Sequence, residues 1–391
     1  MSKSCPHATF ISADTRPSDP AYTRRCVRIV SAIAILFALS SPIRAGSEGY
    51  DPAPVDWAYY EKIWVKDLPA AAADEPRLPQ FEVNRAAVFL DDAALKFTRQ
   101  NRCATCHTNV AYLMARASFN AAGSPATANE IRSLLLDSAA GHQAQPDAYL
   151  PMYLLPIASA IMVFDARNHT GVDPRVQNII AGIWKLQDAN GGWHYPTRGF
   201  LPLMERDARY VATMFALAAG YAPQEYFATQ RARTGLQNLR SFLRSRLPGN
   251  DHDKAVLLWA SARTPGLLNR NERSSYRNGL LRLQNTDGGW TLPRLGQWPR
   301  HDGAPNDPNG PSDGYATALV TLALCENGYR SDREPIRRSI HWLESNQRAS
   351  GRWFTRSTYS DRFRNYLSNM ATAYAVMALD SCRKDSLHDL R

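Results

Sequence analysis

The sequence predicts an all-α protein in which helix pairs repeat, each pair made of an outer helix, a turn and an inner helix. Three observations lead there. Gln187, Gly191 and Trp193 form a turn whose spacing recurs at Gln284, Gly288 and Trp290 and again at Gln347, Gly351 and Trp353. Each turn follows a helical stretch, over 176–186, 273–283 and 335–346, and precedes a more apolar helix that opens on Ala212-Thr213, Ala316-Thr317 or Ala371-Thr372. The apolar helices are rich in small residues and alternate with arginine-rich ones, which suits an inner ring of helices inside an outer ring. Glycine permits the sharp turn, the glutamine can bond backbone groups freed at the helix end, and the tryptophan packs against the next repeat.

Taken in order, residues 1–45 read as a signal peptide. Arg24, Arg25 and Arg28 precede an apolar run from Ile29 to Leu39, and Ala45 offers a small residue at the cleavage position. Eleven apolar residues are too few to span a bilayer, and no later run reads as a stable span. Residues 46–90 are rich in proline and alanine and read as an extended lead-in. The ring domain is expected over 91–391. Its outer helices start with 93–99, ending at Gln100, and continue with 128–139 and 227–246, two pairs without the tryptophan turn. The matching inner helices are 109–119, 149–166 and 251–262, with 366–379 closing the series.

At 391 residues and 44% apolar content, the chain can bury a large core. The net charge is +10, four of it in the first 45 residues, and the arginines elsewhere are scattered without an aromatic stripe. Nucleic acid is therefore not an expected partner. Of six cysteines, Cys5 and Cys26 fall in the leader, and Cys325 and Cys382 read either as a disulfide of an oxidising compartment or as two buried thiols.

The remaining two carry the chemistry. Cys103-Ala104-Thr105-Cys106-His107 has the spacing for covalent attachment of haem c, with one thioether from each cysteine and His107 as the proximal iron ligand. The pair could instead form a structural disulfide, or a metal site with His107. The pentapeptide falls where the first tryptophan turn would begin, after Gln100. Haem is attached to such proteins outside the cytoplasm, so the leader and the pentapeptide support one reading: an exported, periplasmic protein.

The three turns resemble the QW motifs of squalene–hopene and oxidosqualene cyclases, with Trp342, Leu343 and Gln347 matching the upstream part as well. The resemblance covers roughly residues 91–382 and implies an α/α toroid of about six helix pairs, a fold shared with protein prenyltransferases. The pentapeptide running into Tyr112, Leu113, Ala115 and Arg116 also resembles a group of exported bacterial cyclase-repeat proteins with this haem signature. Where the cyclases carry an aspartate cluster, this chain has Asp313-Gly314-Tyr315-Ala316-Thr317-Ala318, with only the first aspartate kept. The prenyltransferase zinc set lacks its cysteine and histidine.

In such a ring the turns and the inner-helix N-termini share one rim, so the haem is expected beside Asp207, His194, His301 and Asp313, at the mouth of a central cavity. His194 or His301 is then a candidate distal ligand, with Met204 a further one, and Asp313 is a candidate acid or simply a helix cap. Met370 and Met377 read as core. The expected function is redox: electron transfer with a partner protein, or oxidation of an apolar, isoprenoid-like molecule in the cavity. The alternatives are a terpene cyclase-like isomerase using Asp313, and a non-catalytic toroid that binds a lipid or protein.

Overall fold

The computed structural model describes residues 55–119, 121–194, 203–204, 207–329 and 332–388; the signal-peptide reading of 1–45 lies outside them. The helices are α1 (Trp57–Ile63), α2 (Val83–Asn101), α3 (Asn109–Ala115), α4 (Pro125–Ala144), α5 (Leu150–Asn168), α6 (Pro174–Lys185) and α7 (Ala208–Tyr221). They continue as α8 (Gln230–Arg244), α9 (Asp251–Arg263), α10 (Arg270–Arg282), α11 (Leu292–Leu295), α12 (Gly314–Glu326), α13 (Glu334–Ser345) and α14 (Tyr366–His388).

Their starts are set by side-chain caps. Ser124, Asp173, Asp207, Thr229, Asn250 and Asp313 each accept from a backbone N–H of the following first turn, and Asn269 with Glu272 makes a full capping box before α10. The helices then sort by burial. In α12 every residue from Gly314 to Cys325 is buried, whereas α8 buries one stripe, Ala232, Gly235, Leu239 and Leu243, and shows arginines on its other faces.

The inner helices close a ring: α3 packs on α5, α5 on α7, α7 on α9, α9 on α12, α12 on α14, and α14 back on α3. Helices α2, α4, α6, α8, α10 and α13 lie outside them, so the protein is an α/α toroid of six pairs. Small residues let α12 and α14 approach closely, Ala316, Ala318 and Ala323 facing a helix that carries Ala371, Ala375 and Ala378. Cys325 and Cys382, both fully buried, are joined in a disulfide across this pair, which settles the choice the sequence left open.

The tryptophan turns work as the spacing suggests, with one refinement. Each glutamine amide donates to its own turn glycine carbonyl and to a backbone carbonyl of the next outer helix. Gln187 reaches Gly191 (2.9 Å) and Gly235 (3.0 Å), and Gln284 reaches Gly288 and Pro335 (both 2.8 Å). Gln347 reaches Gly351 and Glu82 (both 3.0 Å), and Glu82 N–H returns a bond to its Oε1 at 2.8 Å. That last set joins the sixth repeat to the first. Each indole, by contrast, donates back into its own helix, to Ile183, Leu280 and Leu343 (2.8–2.9 Å). The recurring Ala-Thr pair also finds its reason, because Thr317 and Thr372 hydroxyls accept from the backbone N–H of Trp290 and Trp353.

Two expectations need correcting. The stretch read as an extended lead-in contains α1, and the first outer helix starts at Val83, ahead of the expected boundary at 91. Among the described residues one helix, Leu150–Asn168, is long and apolar enough to cross a membrane; it is α5, an inner helix with 78% of that stretch buried in the ring.

Candidate haem turn and ring interior

Residues 102–108 connect α2 to α3, so the pentapeptide occupies the outer-to-inner turn of the first pair, where the sequence placed it. No Gln–Trp pair organises this turn. Asn109 does so instead: its Oδ1 accepts from Thr105 N–H (2.9 Å), and its Nδ2 donates to the Cys103 carbonyl (2.8 Å) and to Thr98 Oγ1 (3.0 Å). The chain leaves α2 through Arg102 in the left-handed region, φ 52°. Asp91 then fixes α3 from below, accepting from the Tyr112 hydroxyl (2.6 Å) and from Ser124 N–H (2.7 Å).

The donor set lies inside the protein. His107 is buried, its Nδ1 lies 3.0 Å from Thr108 Oγ1, and its ring meets Tyr366 edge-on at 5.5 Å. Thr108 Oγ1 in turn accepts from Asn369 Nδ2 at 3.3 Å. Cys106 is a buried thiol. The Cys103–Cys106 disulfide considered from the sequence is thus not formed.

His107 faces a cavity of about 80 Å³ lined by Tyr60, Ile63, Phe97, Tyr366 and Asn369 among others. The Oδ1 of Asn369 is buried there without a hydrogen-bond partner. The turn carries a haem's donors in sequence, two cysteines three apart and an adjoining buried imidazole, but neither cysteine lines this cavity, and Cys106 borders a separate one. The space is short, since ligand sites of small-molecule size run to about 300 Å³ or more. The outer wall of the cavity is α1 with residues 64–68. It is held by Trp57 stacked on Phe363 at 4.8 Å, Tyr60 edge-on to the same ring, an Arg362–Glu61 ion pair, and Gln100, Asn101 and Asn365 donating to the Trp64, Ile63 and Leu68 carbonyls. A macrocycle needs that wall displaced.

The expected central cavity is overturned at this level of the ring. Tyr210 of α7 and Tyr374 of α14 belong to helices that are not neighbours in the ring, yet their hydroxyls hydrogen-bond at 3.0 Å. Trp259 of α9 also meets Tyr374, edge-on at 5.4 Å. Both contacts cross the bore. Between α3, α5, α7 and α14 the space shared by Cys106, Met114, Tyr210, Met214, Met370 and Tyr374 is about 20 Å³, room for a water but not for an isoprenoid.

The other rim candidates separate. His194 is exposed. His301 donates its backbone N–H to the Tyr359 carbonyl and stacks on that ring at 5.3 Å, with Trp57 at 5.6 Å; it is not among the residues lining the His107 cavity. Met204 is buried, as are Met370 and Met377. Asp207 caps α7, and burial together with the charge of Asp253 pushes its carboxyl up to about 7. Asp313 caps α12 and is pushed up to about 6 by burial. Both its oxygens are engaged: Oδ1 accepts from Ala316 N–H and the Thr355 hydroxyl, and Oδ2 from Leu292 N–H. It borders a larger cavity, about 720 Å³, lined with Arg348, Arg356 and Asp361 as well. Among the described residues no group of three or more histidine, cysteine or carboxylate ligands could hold a metal ion.

Sequence reasoning missed His252 altogether. It is buried on the first turn of α9, with Nε2 2.8 Å from the Tyr315 hydroxyl and Nδ1 3.4 Å from Asp253 Oδ1. Its partner is 63 residues away. No local spacing announces such a pair, although a histidine just inside a capped inner helix could have drawn notice.

No protein-family profile and no curated sequence matches this chain. Several solved structures align with it at low identity. A glycosidase variant in complex with glucose is 10% identical with a TM-score of 0.48, covering 78% of this chain and 98% of that one. A variant of the type II terpene cyclase MstE from Scytonema, in complex with geranylgeranyl dihydroxybenzoate, is 14% identical with a TM-score of 0.42, covering 78% and 99%. A possible member of the GH105 family from Salmonella enterica is 10% identical with a TM-score of 0.42, covering 72% and 82%.

Proposed function

We propose that this is an exported, periplasmic protein that carries one haem c on the α2–α3 turn and moves electrons to or from a partner protein. The observation that carries the reading is the Cys103–His107 turn itself: cysteines at thioether spacing, with the adjoining imidazole buried against an apolar wall. Cys103 and Cys106 would hold the porphyrin. His107 would hold the iron, with its Nδ1 engaged by Thr108 Oγ1. Bound there, the haem supplies a one-electron couple. Asn369 and Thr108 hold the imidazole in orientation, and the aromatic wall keeps water from it. The bridged bore favours electron transfer over oxidation of a caged apolar molecule.

Co-expression with a haem c maturation system tests this. The wild type is expected to keep its haem through acid–acetone extraction, Cys106→Ser to hold a single thioether with a shifted pyridine haemochrome band, and His107→Ala to lose the low-field proximal signature. Haem extracted completely from the wild type would sink the proposal.

A second reading rests on Asp313, a buried carboxyl shifted toward neutrality at the edge of a 720 Å³ cavity. It would make the protein an acid–base catalyst of the cyclase-like kind. The three hydrogen bonds already made by the carboxylate weigh against a proton-donor role. An acid there predicts that Asp313→Asn, which keeps the cap, lowers turnover of squalene by about a hundred-fold or more; a cap alone predicts no turnover in either protein.

A further inference from the structure

The positive charge of the ring is gathered on two of its outer helices. α8 carries four arginines and no acidic residue, and α10 carries four arginines and one acidic residue, Glu272. Eight arginines against one glutamate leave seven positive charges, whereas the whole chain beyond residue 45 nets only six. Everything else in the ring is therefore close to balanced. The two helices are neighbours, because Arg244 of α8 donates to the Gly266 and Leu267 carbonyls just ahead of α10 and pairs with Glu272 at 3.8 Å.

Among the described residues that is the one ion pair made by any of the eight arginines. Other outer helices match their cations: Lys96 pairs with Asp92 on α2, Arg132 of α4 with Asp165, and Arg337 with Glu334 on α13. On α8 and α10, Arg231, Arg233, Arg244, Arg270, Arg273 and Arg282 are exposed. Like charges crowded on one face repel each other and add nothing to the stability of the fold. An anionic surface laid over them turns that repulsion into attraction.

The make-up of the face selects the kind of surface. A protein–protein interface has a core depleted of charge and enriched in aromatic side chains, and bound nucleic-acid strands stack their bases on exposed rings. Here the two aromatic side chains of α8 and α10, Phe242 and Tyr276, are half-buried. What the face does present is Leu247, 84% exposed, three residues beyond Arg244. Guanidinium forks fit phosphate oxygens, and a leucine beside them can enter the apolar layer beneath the headgroups.

We propose that the α8–α10 face docks the protein on an anionic phospholipid bilayer. The inner helix paired with α8 is α9, three places from α3 whichever way the ring is followed. The bilayer thus lies across the ring from the α2–α3 turn, and the proposal does not depend on what that turn binds.

Arginine footprinting of the full chain tests it. The protein is treated with phenylglyoxal alone, with phosphatidylcholine vesicles, and with vesicles of about one-third phosphatidylglycerol, and each arginine is read by mass spectrometry. The anionic vesicles are expected to slow modification of Arg233, Arg273 and Arg282 by about five-fold each. Arg85 and Arg337, exposed on α2 and α13, should react as before, and phosphatidylcholine should protect none of the five. Because the comparison is made residue by residue, attachment through the apolar run at the N-terminus cannot imitate it. The vesicle concentration that half-protects Arg282 should rise about twenty-fold in Arg233→Gln with Arg273→Gln. It should not move in Arg85→Gln with Arg337→Gln, which removes the same charge elsewhere. Equal reactivity at Arg233, Arg273 and Arg282 with and without anionic vesicles overturns the proposal. So does protection by polyglutamate or duplex DNA where the vesicles give none, since the face then belongs to an acidic protein or a nucleic acid.

Discussion

Replacing Cys325 and Cys382 together by alanine is expected to lower the melting temperature by roughly 5 °C, the effect of a loss of about 4 kcal/mol in a chain this long. The bond closes a loop across 57 residues, and opening a loop of that size returns about 4 kcal/mol of chain entropy to the unfolded state. The native side adds little to this loss, because each alanine is smaller than the half-cystine it replaces by one buried atom. Two inner helices that pack as closely as α12 and α14 will stay associated, so the variant should still fold and melt in one step. Calorimetry of the two proteins checks it. A shift under about 2 °C would mean that the unfolded chain gains no freedom from the cut, and would remove the entropic account.

The second large effect is at the ring closure. Gly351→Ala should cost about 3 kcal/mol, and the contrast with Gly303→Ala shows why. Both glycines sit at positive φ, 92° and 71°, where an added Cβ costs about 1 kcal/mol. Gly303 has open space around it, so its variant pays little else. At Gly351 the new carbon would lie 2.3 Å from the Arg85 carbonyl oxygen and 2.4 Å from its carbon, backbone atoms of α2 that cannot rotate aside. Relieving that overlap adds about 2 kcal/mol and drags the Gln347 bonds to Gly351 and Glu82 with it. Urea unfolding should separate the two variants clearly; equal midpoints would show that the first and last repeats are not held at this point.

How much of this was legible in the sequence follows from the distance over which each feature acts. The tryptophan turns were readable because glutamine, glycine and tryptophan serve one turn within seven residues, and their hydrogen bonds repeat that spacing. The pentapeptide was readable for the same reason. The position of Asn109 was visible two residues beyond His107, but nothing in the spacing said that its amide would hold the turn. The start of α2 was missed because the Pro/Ala-rich stretch before it shows no periodicity, and Glu82 earns its place at the helix start from Gln347, 265 residues away. The bridged bore was missed for a similar reason. Tyr210, Trp259 and Tyr374 lie on three different inner helices, each reading as ordinary apolar filling until the ring brings them face to face. His252 and Tyr315 are the same case, meeting across 63 residues at 2.8 Å.

The bonds between Gln347 and Glu82 carry one more consequence. An open stack of repeats has two raw ends, each an apolar face that needs a special polar repeat to cover it. Here each end is the cover for the other, so no repeat is spent as a lid and all six can keep the same pattern. The arrangement also sets the order of assembly. Neighbouring pairs can dock as soon as they are made, but the clasp joins segments 265 residues apart and must wait for the turn after α13. Such distant contacts fold slowly, and until the clasp shuts both faces stay exposed to other chains. A truncation before Gln347 should therefore leave a stack that is locally formed but sticky.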